Sequence, residues 1–257
     1  MTAVIAMIMV AMSYANGMLN SQMANNEFTS NQQFMATTGQ QMDAVAWNLG
    51  STQTVTYSTH FGFLSFNASA LNYSFAVYSS SSGWVNFTAP ATGLLLYNMP
   101  LSYVSLGSNY FERVPVNANS SFLQQGASVP VNQVLCEEKL SSNSSCYTRI
   151  ALVPTIRMFN STIMGTPSTS YYKFYLPYLC QFSTTHSSSP SVTLTGENVT
   201  EITTSGVTKI IVTAIPSISA GFNSSFFNFA NNSVTLNIPS SVAEFYFGEV
   251  TTTEGCS

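Results

Sequence analysis

The residues that could carry out chemistry in this 257-residue chain are few, and they are poorly spaced for catalysis. The only aspartate is Asp43, and the only histidines are His60 and His186. A Ser-His-Asp triad needs an acid beside a histidine. Asp43 belongs to a helix-forming stretch and cannot readily join His60 or His186 in such a triad. No G-x-S-x-G elbow, H-E-x-x-H helix or G-x-x-x-x-G-K-[ST] loop occurs. We therefore expect neither an enzyme nor a bound cofactor.

The four cysteines are spaced for disulfides rather than for a metal. Cys136, Cys146, Cys180 and Cys256 include no Cys-x-x-Cys pair, and neither histidine has ligand-like spacing to any of them. An even number of cysteines suggests disulfides in an exported chain, and four cysteines allow three connectivities. We favour Cys136–Cys146, which closes a short loop, and Cys180–Cys256, which ties the C-terminus to the body. Buried free thiols are the alternative.

The most frequent chemical signal is the Asn-x-Ser/Thr triplet, which accepts N-linked glycans in exported proteins. Nine triplets begin at Asn67, Asn72, Asn86, Asn119, Asn143, Asn160, Asn198, Asn223 and Asn231. The first sixty residues contain six asparagines but no triplet, which fits a segment that glycans must avoid. Charged residues make up only 6% of the chain, against about 25% in ordinary soluble domains. Covalent N-glycans are therefore expected to supply surface polarity.

The first element that must position these residues is a long helix. The stretch 2–49 contains no proline and is rich in Met, Ala and Gln, which favour helix. Its large apolar residues recur at seven-residue intervals, the pattern of a helix that faces other helices along one seam. A helix of about fifty residues is about 75 Å long, which is too long for a compact domain to bury. The predicted helix-bundle interface comprises Val4, Ile5, Ile8, Ala11, Tyr14, Met18, Phe28, Met35, Met42 and Leu49.

The apolar start AVIAMIMVAM fits a signal peptide, a membrane anchor or a helix that packs against copies of itself. A signal peptide has basic residues before its apolar core, but the first basic residue here is Arg113. The basic flank was either never present or removed upstream of Met1. An anchor needs about twenty apolar residues, and Tyr14, Asn16 and Gly17 interrupt this run. Uncharged polar residues can hydrogen-bond among packed helices, where charges are costly to bury. The pattern therefore favours a helix that packs against copies of itself.

From Thr52 onward the hydrophobic period changes to two. Short runs of β-branched and aromatic residues, parted by Ser, Gly, Asn and Pro, are typical of antiparallel sandwich or barrel strands. The sequence thus predicts an α+β fold, with a long N-terminal helix over 1–50 and an antiparallel β-rich, sandwich-like head over 51–257. The loop STTHSSSP at 183–190 could divide the head into two lobes.

This layout resembles archaeal type IV pilins and archaellins. In that family a basic leader is removed just before an apolar stretch, which remains as the start of a long helix followed by a β-rich, often N-glycosylated head. The matching features are AVIAMIMVAM, the proline-free continuation to Leu49 and the β-rich remainder with its triplets. The stretch MDAVAWNLGSTQTVTYSTHFG, where helix gives way to strand, is also similar to archaeal pilin-like surface proteins. Ile5 departs from the Glu found at that position in many bacterial pilins.

The resemblance implies a structural subunit of an extracellular, cell-surface filament of archaeal type, with helices bundled in the core and heads outside. Its partners are copies of itself and, before assembly, the membrane; we rank surface adhesion above motility. The net charge of −4, with only six basic residues, argues against nucleic acid. The alternative is a solitary cell-surface adhesin or ligand-binding module tethered by its N-terminal helix. If the seam is correct, Met35→Asp and Met42→Asp abolish assembly and leave the head folded.

Overall fold

The computed structural model describes residues 2–116, 118–139, 146–165, 168–187, 189–222 and 224–256. It shows one long N-terminal helix followed by a large, mostly antiparallel β-sheet, which confirms the predicted α+β class. The elements, in chain order, are α1 (Thr2–Ala46), β1 (Thr52–Thr56), β2 (Phe63–Ser79), β3 (Gly83–Thr88), β4 (Thr92–Pro100), β5 (Phe111–Val114), β6 (Leu123–Gln125), β7 (Asn132–Lys139), β8 (Tyr147–Pro154), β9 (Ile156–Ile163), β10 (Thr169–His186), β11 (Ser191–Pro216), a 3-10 turn (Ile218–Ala220), α2 (Ser224–Phe227) and β12 (Ser233–Cys256).

The two halves of α1 lie in different environments. Every residue from 4 to 23 is exposed, and we call this segment the stalk. Burial begins at residue 24, and we call 24–46 the docked segment. Its buried positions recur every three or four residues, which is the spacing of a single helical face. They are Ala24, Glu27, Phe28, Asn31, Phe34, Met35, Thr38, Gly39, Met42, Val45 and Ala46.

The docked segment ends against two glycines of the sheet. A Cβ atom at Gly196 on β11 would lie 2.1 Å from the carbonyl oxygen of Val45, and one at Gly248 on β12 would lie 2.7 Å from that of Ala46. Only residues without a side chain allow the helix backbone to approach the strands this closely. Beyond the helix, the N–H of Gly50 donates to the carbonyl of Gly196 at 2.8 Å and leads the chain into β1.

The strands form one hydrogen-bonded sheet. Its order is β5-β7-β8-β4-β2-β11-β12-β10-β9-β6, with β1 also paired to β11 and β3 also paired to β2. The β10–β12 and β6–β9 pairs are parallel, and the other pairs are antiparallel. The predicted loop at 183–190 comprises the last four residues of β10 and the connection to β11. Because both strands pair with β12, residues on either side of this loop belong to the same sheet, and a division into two lobes stays a prediction.

Strands β4 and β8 are buried on both faces. All but the last residue of β4 and all but the first of β8 are buried. Leu94 and Leu96 join a core cluster with Phe75 and Phe245 of the other long strands, while Leu95 between them joins the cluster formed with the docked segment. Neighbouring residues of a strand point to opposite faces, so α1 covers one face of β4 and the aromatic core covers the other.

The strand register separates both predicted disulfide pairs. Cys136 on β7 lies opposite Ile150 on β8, four positions along the chain from Cys146, which corresponds to about 13 Å. Cys180 lies beside Val250 and Thr251 of β12, whereas Cys256 pairs with His186, about 20 Å away along the strands. A disulfide requires Cα atoms within about 7 Å.

The predicted pairs Cys136–Cys146 and Cys180–Cys256 are therefore wrong. Strand register, rather than spacing along the chain, decides which residues lie side by side in the sheet. Cys136 and Cys180 are free thiols instead. Cys136 is buried under the docked segment, where Gln32 Nε2 donates to its Sγ at 3.3 Å. Burial raises the pKa of Cys136 to about 12, so this thiol stays protonated and unreactive at neutral pH.

Candidate assembly site: the projecting helix and its anchors

The stalk is apolar on every side at its N-terminal end. Residues 4–10 read VIAMIMV without a polar side chain, and all of them are exposed. Successive residues of an α-helix are rotated by about 100°, so seven consecutive apolar residues cover the whole circumference. A helix that is apolar all round functions in surroundings that bury it on all sides, in a membrane or among other helices.

The length of the stalk matches a membrane as well. Twenty residues at 1.5 Å each span about 30 Å, which is the thickness of the hydrocarbon core, and α1 is long and apolar enough to cross it. The remainder of the stalk contains Ser, Asn and Gln but no charge, and the first charged residue of the chain is Glu27. Uncharged polar groups can hydrogen-bond between helices packed away from water.

The structure divides the ten predicted interface residues between two locations. Six lie exposed in the stalk: Val4, Ile5, Ile8, Ala11, Tyr14 and Met18. Phe28, Met35 and Met42 are instead buried in a core cluster that the docked segment shares with the chain's own sheet. The prediction that these three face other helices is wrong, because the sheet of the same chain covers them. Leu49 lies beyond the end of α1 and is exposed.

Glu27 fixes the point where the stalk leaves the head. Its carboxylate is buried and accepts hydrogen bonds from the backbone N–H groups of His60, Phe61 and Gly62 at 2.9–3.1 Å. The Tyr97 hydroxyl donates to the same carboxylate. Burial alone would raise the pKa of Glu27, but these hydrogen bonds outweigh it and hold the pKa below its usual value of 4.5. One ionised side chain thus ties the helix to the loop after β1 and to β4.

Asp43 provides a second anchor near the end of α1. Arg157 on β9 donates from Nη1 at 2.8 Å and from Nη2 at 3.2 Å to the two carboxylate oxygens, the paired geometry that makes an Arg–carboxylate contact directional. Trp47 Nε1 donates to the same carboxylate at 2.7 Å. Since Glu27 and Asp43 are sixteen residues apart, the two anchors hold about 24 Å of helix. The two anchors therefore fix the docked segment on the head, and the stalk continues from it as the same helix.

The Glu27→Gln variant is expected to unfold more easily at neutral pH, by about 2–3 kcal/mol, because a neutral amide cannot accept all these donors. A carboxyl with a lowered folded-state pKa stabilises the fold fully above its unfolded pKa of about 4.5, and this stabilisation is lost as the pH falls through the folded-state pKa. The difference between the wild type and Glu27→Gln should therefore be largest near pH 7 and narrow toward pH 3. Urea unfolding at both pH values measures it. A difference that does not change with pH contradicts an ionised anchor.

The predicted glycan acceptors differ in accessibility. Asn67 and Asn72 are half-buried, and Asn67 Nδ2, the atom that would carry the glycan, donates to the carbonyl of Ala220 at 3.0 Å. Asn143 and Asn223 lie outside the described residues. Glycosylation stays a prediction, and it is sterically easiest at the exposed acceptors Asn86, Asn119, Asn160, Asn198 and Asn231.

Chemistry elsewhere on the described surface is limited. Within the described ranges, no three His, Cys, Asp or Glu side chains are grouped so that they could hold a metal ion. A cleft of about 320 Å³ beside the docked segment is lined by apolar residues and by the carboxamides of Gln40, Asn119, Gln124, Asn132 and Gln133. It offers hydrogen-bond partners to a ligand, and none of the described residues that line it is ionisable.

Neither Glu27 nor Asp43 was predicted as an anchor, although the sequence carries one signal. Glu27 ends a charge-free run of twenty-six residues, which marks the boundary between stalk and head.

The fold and the site define an architecture: a β-rich head held on a projecting apolar helix. Comparisons with protein-family models, with curated proteins and with solved structures found no match.

Proposed function

We propose that this chain is the structural subunit of an extracellular helical filament similar to archaeal type IV pili. The stalks of many copies form the core, and the sandwich-like, N-glycosylated heads face outward from the cell surface. The observation that carries the proposal is the exposed stalk, which is uncharged throughout, is apolar around its whole circumference at 4–10, and is attached to a folded head. A contact on one side would leave the rest of it in water, whereas a bundle covers all of it.

The fixed junction supports a regular polymer. Head-to-tail contacts that do not close into a ring generate a helical fibre only when each copy presents the same geometry to the next. The anchors at Glu27 and Asp43 supply that uniformity. The filament core is then about 30 Å of helix per subunit, ending near Met23 rather than at Leu49. The docked segment belongs to the outer layer.

Before assembly, the same stalk resides in the membrane, because its length matches the hydrocarbon core. This match also favours the second candidate, a solitary surface adhesin that keeps its stalk in the membrane. The two functions differ in what finally surrounds the stalk. We rank adhesion above motility for the filament.

Negative-stain microscopy of material sheared from cells that make the protein tests the proposal. We expect uniform fibres in which mass spectrometry identifies this chain as the main component. The solitary adhesin predicts no fibres and recovery of the chain in the membrane fraction. That second outcome contradicts the filament.

A further inference from the structure

Two exposed aromatic rings lie next to one of the glycan acceptors. Trp84 on β3 is 49% exposed and Tyr78 on β2 is 38% exposed. The two residues are paired across the strands, with ring centroids 5.3 Å apart. Lys209, opposite Tyr78 on β11, places its Nζ 5.8 Å from the centre of the Trp84 ring. Aromatic side chains supply large contact areas at binding surfaces, so the two rings offer a surface on which a ligand can pack.

Asn86 projects from the same face of the sheet as Trp84. The two residues are two positions apart on β3, and side chains alternate between faces along a strand. Phe87, the next residue, points to the other face, where its ring stacks on Phe75 at 5.2 Å. The residue opposite Asn86 is Ala76, whose small side chain leaves the surface between acceptor and rings open.

We propose that Asn86 carries an N-linked glycan whose first sugar packs on the rings of Trp84 and Tyr78. An oligosaccharyltransferase would join Asn86 Nδ2 to the anomeric carbon of a lipid-phosphate-linked oligosaccharide. The C–O bond to the phosphate breaks, the phosphate leaves with the bonding pair, and the amide loses one proton. The apolar C–H face of the sugar then covers the electron-rich ring faces. This inference rests on export of the chain, which is part of the proposed function.

The chain's own glycan fits this surface better than a separate partner does. A sugar attached two residues from Trp84 is held at a high effective concentration over the ring. The comparison with Asn198 is informative, because this exposed acceptor on β11 has Gly196 two positions earlier and no ring there. Asn86 therefore combines exposure with a ring two positions earlier on its strand, which Asn198 lacks.

The test expresses the full chain in a secretory host that performs N-glycosylation. Glycopeptide mass spectrometry measures occupancy at Asn86, with Asn198 as the internal comparison. Thr88→Ala removes the acceptor triplet and leaves Asn86 in place, and Trp84→Ala removes the ring. We expect Asn86 to be occupied and Thr88→Ala to lower the Tm by about 2–4 °C, the shift expected from one contact of this size. In the Trp84→Ala background the same change should leave the Tm unaltered.

Two outcomes overturn the inference: an empty Asn86, whether or not free oligosaccharide or a second copy binds the rings, and an equal effect of Thr88→Ala in both backgrounds. If Trp84→Ala is not secreted, Trp84→Leu replaces it, because leucine keeps apolar contact without a ring. The host forces export, and fibres are scored separately by microscopy. Failure here therefore leaves the filament proposal standing.

Discussion

The Met35→Asp variant is expected to lose its folded head. Met35 is completely buried between α1 and the sheet, in one core cluster with Leu95 and Ile150. Loss of a buried methionine side chain costs about 2–5 kcal/mol, and an unpaired buried carboxylate adds several more. Total stabilities are about 5–15 kcal/mol, so most molecules should be unfolded. Circular dichroism melting of the purified, detergent-solubilised chain measures this effect.

Two control variants separate burial from helix chemistry. Met35→Leu conserves apolar volume and should cost less than about 1.5 kcal/mol. Gln33→Asp places the same carboxylate on the exposed side of the same helix and should leave the Tm nearly unchanged. If Met35→Asp melted like Gln33→Asp, the docked segment would not be part of the head core, and Met35 would again be available to other chains.

The Ile8→Asp variant is expected to show the opposite behaviour, with an intact head and no fibres. Ile8 is exposed in the stalk and touches no part of the head core, so the melting curve should match that of the wild type. In a bundle core or a membrane, one aspartate costs about 2.5–3.5 kcal/mol, and each copy in the polymer repeats the cost. Negative-stain microscopy counts fibres, and circular dichroism measures the Tm of the head.

Ile8→Leu is the matched control, because it retains an apolar side chain of equal size and should form fibres. Two results for Ile8→Asp would contradict the prediction. Fibres of normal number and shape would show that the stalk is not the core of the filament. A lowered Tm of the head would show that the stalk packs on the head, contrary to the structure.

The sevenfold repeat shows how far sequence can lead. The spacing of Phe28, Met35 and Met42 correctly predicts a helix with one apolar face, because 3.6 residues per turn bring these positions together. It does not reveal what covers that face. An apolar helix face can be buried equally well by another helix or by a sheet. Here Leu95, Leu194 and their neighbours in the same chain bury it.

The disulfide prediction was wrong, and the partners of Glu27 and Asp43 were not predicted, for a related reason. Sequence spacing made Cys136–Cys146 attractive, but strand register separates the two residues by about 13 Å. Tyr97 and Arg157, which fix Glu27 and Asp43, are 70 and 114 residues away from them along the chain. Nothing local to either residue indicates such a partner.

The sequence by itself therefore determined what depends on neighbouring residues: the helix, the change to strands near Thr52, and an uncharged apolar start. Those properties follow from backbone preference and from the periodicity of side chains. Only the tertiary structure decided that half of the helix is buried by its own head while the other half projects. That division depends on which distant strands come together, and the free energy of such contacts is set by the packing of the whole sheet.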